Sequence, residues 1–289
     1  MPRRENLHNT SDLVYPIHSR PLSLLEKCAI ACGSTLGFCP VCGRFARMMH
    51  WRRDFRESGF CDNCGASNRK RQIAYVICGA LSEWQGSIFR SIPRLSPHKD
   101  LTIYNTEASG PLHRHLSRLP GYVCSEYLGA GHAPGENISG TRHEDLTKLS
   151  FPDSSLDVVI SSDILEHVPY PYRAHKEIFR VLRPRGRHIF TVPFLQADYT
   201  DDILAESNGA TIMMLKPPIY HLDPIRPEGI LVYTHFSLEM LLRLATIGYR
   251  TNMYRIRRSI LGILGDNAIV FEAMKPALRS GEGLAQPRG

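Results

Sequence analysis

The chain has 289 residues, of which 43% are hydrophobic and 22% charged, and its formal net charge is +7. This composition is typical of a globular protein with a sizeable core, and no apolar run approaches the roughly 18 residues of a membrane-spanning helix, so we expect no membrane insertion. The first residues include arginines but no apolar segment of a secretory signal, so we expect a cytoplasmic protein. The positive charge fits an anionic partner such as nucleic acid, and equally an ordinary basic surface.

Composition and hydrophobic periodicity divide the chain into five segments. Residues 1–37 form an N-terminal segment with one helix, residues 38–67 a four-cysteine zinc ribbon, and residues 68–99 a helical linker. Residues 100–275 form an α/β domain, and residues 276–289 form a disordered polar tail.

Four of the eight cysteines have the spacing C-x2-C-x18-C-x2-C, at Cys39, Cys42, Cys61 and Cys64. Each pair is followed by glycine, which can adopt the backbone angles of a tight metal-binding turn. Four thiolates at this spacing suit a closed, tetrahedral, structural zinc site. A closed site has no open coordination position, so we expect no catalytic role for this zinc.

Basic and aromatic side chains alternate within and after the cysteine pairs. Such a surface can bind RNA, or the aromatics can form the small core of the ribbon while the arginines face solvent. The residues concerned are Arg44, Phe45, Arg47, Trp51, Arg52, Arg53, Phe55, Arg56 and the run Arg69 to Arg71.

Apolar residues recur at helical spacing after the cysteines, and short strands alternate with helices further on. The stretch "SNRKRQIAYVICGALSEW" predicts a helix capped by Ser67 or Asn68. From about residue 100, "LTIYN", "GYVCSEYL", "LDVVIS" and "RHIFTVPF" are typical of strands, and "YRAHKEIFRVL" and "SLEMLLRLATIGY" of helices. This alternation predicts a doubly wound, mostly parallel sheet with helices on both faces. "TNMYRIRR" and "NAIVFEAM" predict final strands that can pair antiparallel.

The stretch "RHEDLTKLSFPDSSLDVVISSDILEHV" resembles class I S-adenosylmethionine-dependent methyltransferases of the type 11-like group, over roughly residues 100–275. The resemblance implies a Rossmann-like fold and S-adenosylmethionine as cofactor. It also implies that Asp145 accepts a hydrogen bond from the adenine amino group, that Leu146 offers its backbone N–H to the ring, and that Glu126 binds the ribose hydroxyls. Ser162 is a further expected cofactor contact. The ends of strands, where these residues fall, are where open α/β sheets bind ligands.

The first loop of the resembling family reads D-x-G-x-G-x-G, and here "YNTEASG" stands in its place. The implied cofactor contacts are Thr106, Glu107, Ala108 and Gly110, with Glu107 able to meet the ammonium group of the cofactor. Small side chains still permit close approach of the backbone. Two interpretations remain open: a diverged loop that binds cofactor, and a loop that has lost this role.

Candidate catalytic residues follow the fourth predicted strand and lie in a later proline-rich insertion. His167 can titrate near neutral pH and act as a base, together with Asp163 and His221. Asp163, Glu166 and His167 resemble a divalent-metal motif of some O-methyltransferases, which implies a possible Mg²⁺ site; the alternative is that they only cap the strand. The insertion "LKPPIYHLDPIRPEG" is a candidate lid.

Three functions remain open on this reasoning. The first is O-methylation of a small molecule or glycan, with the ribbon as a structural arm. The second is RNA methylation, with the basic ribbon gripping RNA. The third is a non-catalytic binding module on a methyltransferase fold. The sequence identifies neither the methyl acceptor nor the oligomeric state.

Overall fold

The computed structural model describes residues 21–95, 101–222, 226–265 and 268–277. The disordered tail predicted from residue 276 lies outside the described residues from position 278 onward. The helices are α1 Leu24–Cys32, α2 Asn68–Gln85, α3 Gly110–Leu116, α4 Pro171–Val181 and α5 Leu238–Ile247, with short 3-10 turns at Ile92–Arg94, Leu165–His167 and Ser259–Leu261.

The strands form one large sheet and several small ones. They are β1 Ser34–Cys39, β2 Arg44–Met49, β3 Phe60–Cys61, β4 Ile103–Asn105, β5 Tyr122–Cys124, β6 Asn137–Ile138, β7 Thr141–Arg142, β8 Leu156–Ser162, β9 Leu182–Thr191, β10 Asp202–Ile203, β11 Ala205–Ser207, β12 Ile212–Met214, β13 Tyr220–His221, β14 Ile230–Leu231, β15 Thr234–His235, β16 Arg250–Arg255 and β17 Ile269–Met274.

The large sheet has six strands in the order β16-β17-β9-β8-β4-β5. Strands β5, β4, β8 and β9 are parallel, whereas β17 runs antiparallel to both β9 and β16. The sheet is therefore mixed but mostly parallel, and its last two strands are the antiparallel pair that the sequence allowed. Because parallel strands end at the same edge, the residues that follow β4, β5 and β8 are brought together there.

Alternate residues of the buried strands pack into two cores, one on each face of the sheet. Val158 and Ile160 of β8 belong to one core, and Val159 between them belongs to the other. Helix α2 packs on the first face and helices α4 and α5 on the second. Helices on both faces are the arrangement that the alternating sequence pattern predicts.

The segment that contains the four cysteines shares a core with the large sheet. Strands β1, β2 and β3 form a three-stranded antiparallel sheet, and their buried residues join those of α2 and of one sheet face in a single cluster. We call residues 34–66 the four-cysteine module. Helix α2, which occupies most of the predicted linker, begins at the N-cap Ser67 and packs on β9 and β17.

A buried arginine joins the module to the loop between β16 and β17. Arg71 is fully buried and donates hydrogen bonds to the carbonyls of Gly59 and Ala66 in the module and of Gly262 in that loop. Burial lowers the pKa of Arg71 to about 10, so the side chain stays charged at neutral pH. Within the described part of the chain, no helix has the length and apolar content needed to cross a membrane.

Candidate functional site

A cleft of about 900 Å³ opens at the carboxyl edge of the large sheet. It is lined by residues that follow three of the parallel strands, by the start of α2 and by the segment between β9 and α5. Nine residues expected from sequence to bind cofactor or to act in catalysis line it: Thr106, Glu107, Glu126, Asp145, Leu146, Ser162, Asp163, His167 and His221. Ala108 in the same loop and Gly110 at the start of α3 are not among the lining residues, whereas Ser109 between them is.

The loop after β4 is held to the end of β5 by a carboxylate. The backbone N–H of Ala108 donates to Oε1 of Glu126 at 2.8 Å. Tyr104, which stands where the resembling family has an acid, is fully buried and its hydroxyl lies 2.7 Å from Oγ of Ser125. Glu126 and Tyr104 therefore hold the loop in place although Gly110 is the only one of the family's glycines that it retains, because Glu126 binds the loop backbone and Tyr104 anchors the preceding strand.

Asp145 lies at the cleft wall in a local turn. Its Oδ1 accepts hydrogen bonds from the backbone N–H and the hydroxyl of Thr147, both at 2.8 Å. Its Oδ2 accepts none from a described residue. One carboxylate oxygen is thus used to position the group, and the other remains available to an incoming donor.

A buried ion pair connects the four-cysteine module to the end of β8. Arg56 donates to Oδ2 and Oδ1 of Asp163 at 2.6 and 2.5 Å, and the hydroxyl of Thr191 donates to Oδ1 at 2.8 Å. Burial would raise the pKa of Asp163, but the charges of Arg56 and Arg69 outweigh it and hold the pKa below its ordinary value. Asp163 is therefore ionised and fully engaged, which does not fit the expected role as a base or metal ligand.

Two basic residues at the start of α2 extend this network along the cleft. Arg69 binds Glu57 and Ser162, and Lys70 donates to both carboxylate oxygens of Glu107 at 2.6 Å. The sequence analysis placed Arg69 and Lys70 in a basic stretch that binds RNA or faces solvent, and it did not predict that they line the cleft. The sequence signal for this position was the run "RKR" near the start of the helix that follows the second cysteine pair.

Glu166, His167 and His221 meet at another part of the cleft wall. Oε1 of Glu166 lies 3.8 Å from Nε2 of His167 and 3.8 Å from Nδ1 of His221. Burial, and then the charge of Asp163, raise the pKa of Glu166 well above its ordinary value. Burial, and then the nearby His167, lower the pKa of His221 to about 3. The structure therefore joins His221, and not Asp163, to Glu166 and His167.

The four module cysteines converge on one point. Their sulfur atoms all lie within 4.8 Å of one another, with Cys39 and Cys64 at 3.8 Å and Cys42 and Cys61 at 3.9 Å. A tetrahedral zinc with bonds of about 2.3 Å places its sulfur ligands roughly 3.8 Å apart. Gly43 after the first pair and Gly65 after the second have φ angles of +72° and +75°.

A second, open groove of about 640 Å³ runs beside the cysteine turns. Basic side chains from two parts of the chain line it: Arg44, Arg114, His115 and Arg118. Arg114 is held by the carbonyl of Cys64, to which it donates at 2.6 Å. The groove offers a positively charged surface next to the four-cysteine module and separate from the cleft.

Comparison with known proteins shows what the middle of the chain is similar to. Residues 126–190 match the family model described as a methyltransferase domain. An uncharacterized methyltransferase of Mycobacterium sp. strain KMS is 52% identical over 69 residues, which cover 21% of this chain and 27% of that protein. A probable S-adenosylmethionine-dependent methyltransferase of Mycolicibacterium smegmatis is 40% identical over 52 residues, which cover 18% of this chain and 20% of that protein.

A solved S-adenosylmethionine-dependent methyltransferase from Mesorhizobium loti superposes with a TM-score of 0.40 and 18% identity, over 62% of this chain and 93% of that one. The chain spans about a quarter of the length of the first curated relative, since the match covers 27% of it. Residues 126–190 are therefore similar to a methyltransferase domain, and the relatives that match this chain are described as methyltransferases. The matched segment runs from Glu126 at the end of β5 through Asp145 to Phe190 in β9.

Proposed function

We propose that the chain transfers a methyl group from S-adenosylmethionine to an oxygen of a small molecule or glycan. The observation that carries the proposal is that the segment matching a methyltransferase domain supplies acidic residues, Glu126 and Asp145, to a large cleft at the carboxyl edge of the sheet. Carboxylates at that edge can accept the hydroxyl and amino donors of a nucleoside.

The cleft residues fit the cofactor at both of its ends. Glu126 and Asp145 suit the ribose and adenine, and the backbone N–H of Leu146 would meet the adenine ring. Lys70 and Glu107, paired at 2.6 Å, offer one positive and one negative group. Such a pair complements the carboxylate and ammonium groups at the amino-acid end of the cofactor. The loss of glycines in the first loop is therefore compatible with cofactor binding.

S-adenosylmethionine carries the methyl group on a positively charged sulfonium sulfur. When the acceptor oxygen takes the methyl group, the carbon–sulfur bond breaks and its electron pair stays on sulfur, so the leaving group is a neutral thioether. The chain must hold the acceptor oxygen in line with the methyl carbon and remove the hydroxyl proton. Asp163 is engaged by Arg56, so His167 and His221 are the groups at the cleft wall through which that proton would leave.

The four-cysteine module would hold a structural zinc ion. Its sulfur spacing matches the edges of a zinc tetrahedron, and all four sulfurs are needed to complete it. The zinc would stabilise the turns that position Arg56 and the start of α2. Because the site is closed, we assign it no part in methyl transfer.

The basic groove beside the module favours a second candidate, an RNA methyltransferase. Arg44, Arg114 and Arg118 could contact phosphates, and such binding would weaken steeply as salt concentration rises. Binding of RNA that persists at physiological salt and is lost on Arg114→Ala would favour this candidate over a small-molecule acceptor.

The test is calorimetric titration with S-adenosylmethionine and with its demethylated product. We expect both to bind in the micromolar range, and we expect Glu126→Ala and Asp145→Ala to abolish binding while the variants stay folded. Asp198→Ala is the matched control, because Asp198 is an exposed carboxylate outside the cleft. Absence of binding to the wild-type chain would overturn the proposal and favour a non-catalytic module. Normal binding by either cleft variant would overturn the assignment of that residue.

A further inference from the structure

We propose that Glu166, His167 and His221 bind one divalent transition-metal cation at the wall of the cleft. Each residue offers a ligand atom, and the three atoms lie within 4.8 Å of one another. His167 and His221 both line the cleft, so a cation held between them would face its interior. The set joins a turn directly after β8 to strand β13 of the later insertion, and no sequence motif contains all three residues.

The buried carboxylate of Glu166 would be stabilised by a positively charged partner. The side chain is fully buried, and neither of its oxygens has a hydrogen-bond partner in the part of the chain that the structure describes. Burying an ionised carboxylate without a partner costs several kcal/mol. A cation shared with the two imidazoles would supply the missing charge.

The distances suit ligands of a common ion better than direct hydrogen bonds. Glu166 Oε1 lies 3.8 Å from a nitrogen of each histidine, which is longer than a hydrogen bond. Nitrogen and oxygen ligands of zinc lie about 2.0–2.2 Å from the metal, so two such ligands are separated by roughly 3–4 Å. The two imidazole rings are 4.7 Å apart and perpendicular, which allows both to face one point.

A backbone carbonyl sets the orientation of His167. Its Nδ1 lies 2.8 Å from the carbonyl oxygen of Leu231. Because a carbonyl can only accept, Nδ1 carries a proton, which leaves Nε2 as the nitrogen that can bind a metal. Nε2 is also the atom that faces Glu166. Metal-binding histidines are commonly oriented in this way, with the second nitrogen donating to a carbonyl.

The donor set selects a class of cation. Two imidazoles and one carboxylate suit zinc, iron(II), cobalt or manganese, whereas magnesium and calcium prefer oxygen ligands alone. Three protein ligands leave at least one position for an exogenous oxygen. If the proposed methyl transfer is correct, the imidazoles would act through this cation, which would lower the pKa of a bound acceptor hydroxyl. Metal binding itself does not depend on that function.

The test uses the full chain with zinc already in the four-cysteine module, to which Co²⁺ is added without S-adenosylmethionine. We expect about one equivalent to bind, with the weak visible absorption of nitrogen and oxygen ligands and without the strong sulfur-to-metal bands that binding at the cysteines would give. Metal analysis afterwards should still find the original zinc.

Glu166→Gln removes the charged ligand at nearly constant shape, and we expect it to weaken Co²⁺ binding about a hundredfold or more. His221→Gln provides a second variant should the first fail to fold, and His132→Gln, a partly exposed histidine outside the cluster, is the matched control. Absence of cobalt binding to the wild-type chain, or unchanged binding by a folded Glu166→Gln chain, would overturn the proposal. Neither result depends on cofactor binding, so the two proposals fail separately.

Discussion

Arg56 of the four-cysteine module donates two hydrogen bonds to Asp163 at the end of β8, across 107 positions of sequence. The arginine side chain is 4% exposed and the aspartate side chain 18% exposed, so solvent screens the pair only weakly. Asp163 also adopts a left-handed backbone conformation, with φ of +56°. The module therefore contributes directly to the shape and charge of the cleft floor.

Removal of one partner from this buried pair should lower the stability of the folded chain. We expect Arg56→Ala to lower the free energy of unfolding by about 1.5–3 kcal/mol, because Asp163 loses two charge-assisted hydrogen bonds and keeps only Arg69 and Thr191 as side-chain partners among the described residues. Urea unfolding monitored by fluorescence measures the loss. Arg44→Ala, an exposed arginine of the same module, should change stability by less than about 0.5 kcal/mol.

A double variant separates the energy of the ion pair itself from the other energetic effects of truncating each side chain. Arg56→Ala combined with Asp163→Ala should be less destabilised than the sum of the single variants, since neither leaves the other unpaired. Strict additivity of the two losses would show that the pair is not coupled and would contradict this interpretation of the cleft floor.

Loss of the proposed zinc should affect the whole domain rather than the module alone. Cys39→Ser should abolish stoichiometric zinc, measured by metal analysis, and lower the melting temperature of the entire chain in one transition. The reason is that the module shares its core with the large sheet. Cys28→Ser in α1 alters an exposed cysteine and should change neither quantity. A variant that loses zinc but melts as the wild type does would contradict the shared-core argument.

The pair of Lys70 and Glu107 should contribute to cofactor affinity. We expect Lys70→Met to weaken S-adenosylmethionine binding about tenfold to a hundredfold, which corresponds to the loss of a charge-assisted hydrogen bond of about 1.5–3 kcal/mol. Calorimetry gives the affinity, and Lys176→Met on the exposed face of α4 is the control. Equal affinities of the two variants for S-adenosylmethionine would show that Lys70 does not contribute to cofactor binding.

Stability should fall as the pH is lowered, in part because of a buried histidine pair. His175 packs against His188, Tyr172 and Phe190, and neither of its ring nitrogens has a partner among the described residues. Burial lowers the pKa of His175 from 6.5 to about 3. The unfolded chain therefore binds a proton that the folded chain does not, and the loss begins as the pH falls below the unfolded value.

At about pH 5 the expected loss from His175 is about 2 kcal/mol relative to neutral pH. His175→Leu should remove this part of the pH dependence, as measured by urea unfolding at both pH values. Comparison with the wild type at each pH cancels any effect of acid on the cysteine site, which both proteins share. Identical pH dependence in the two proteins would mean that the pKa of His175 is the same in the folded and the unfolded chain, which would contradict this prediction.

The sequence by itself determined the local elements and the order in which they occur. Ser67 caps α2 as the pattern indicated, Gly248 ends α5 in a left-handed conformation, and the strands alternate with helices as a mostly parallel sheet requires. The cysteine spacing likewise predicted that four sulfurs would converge. These features depend on residues close in sequence, where capping, periodicity and turn geometry act directly.

Only the tertiary structure decided which side chains share the cleft. The motif around residue 163 suggested a metal site of Asp163, Glu166 and His167, but Arg56 reaches Asp163 from the module and His221 reaches Glu166 from the later insertion. These partners are separated by long stretches of chain, and their meeting depends on how the module and the insertion pack on the sheet. No local pattern encodes that packing, because it results from the burial of apolar surface shared by the whole fold.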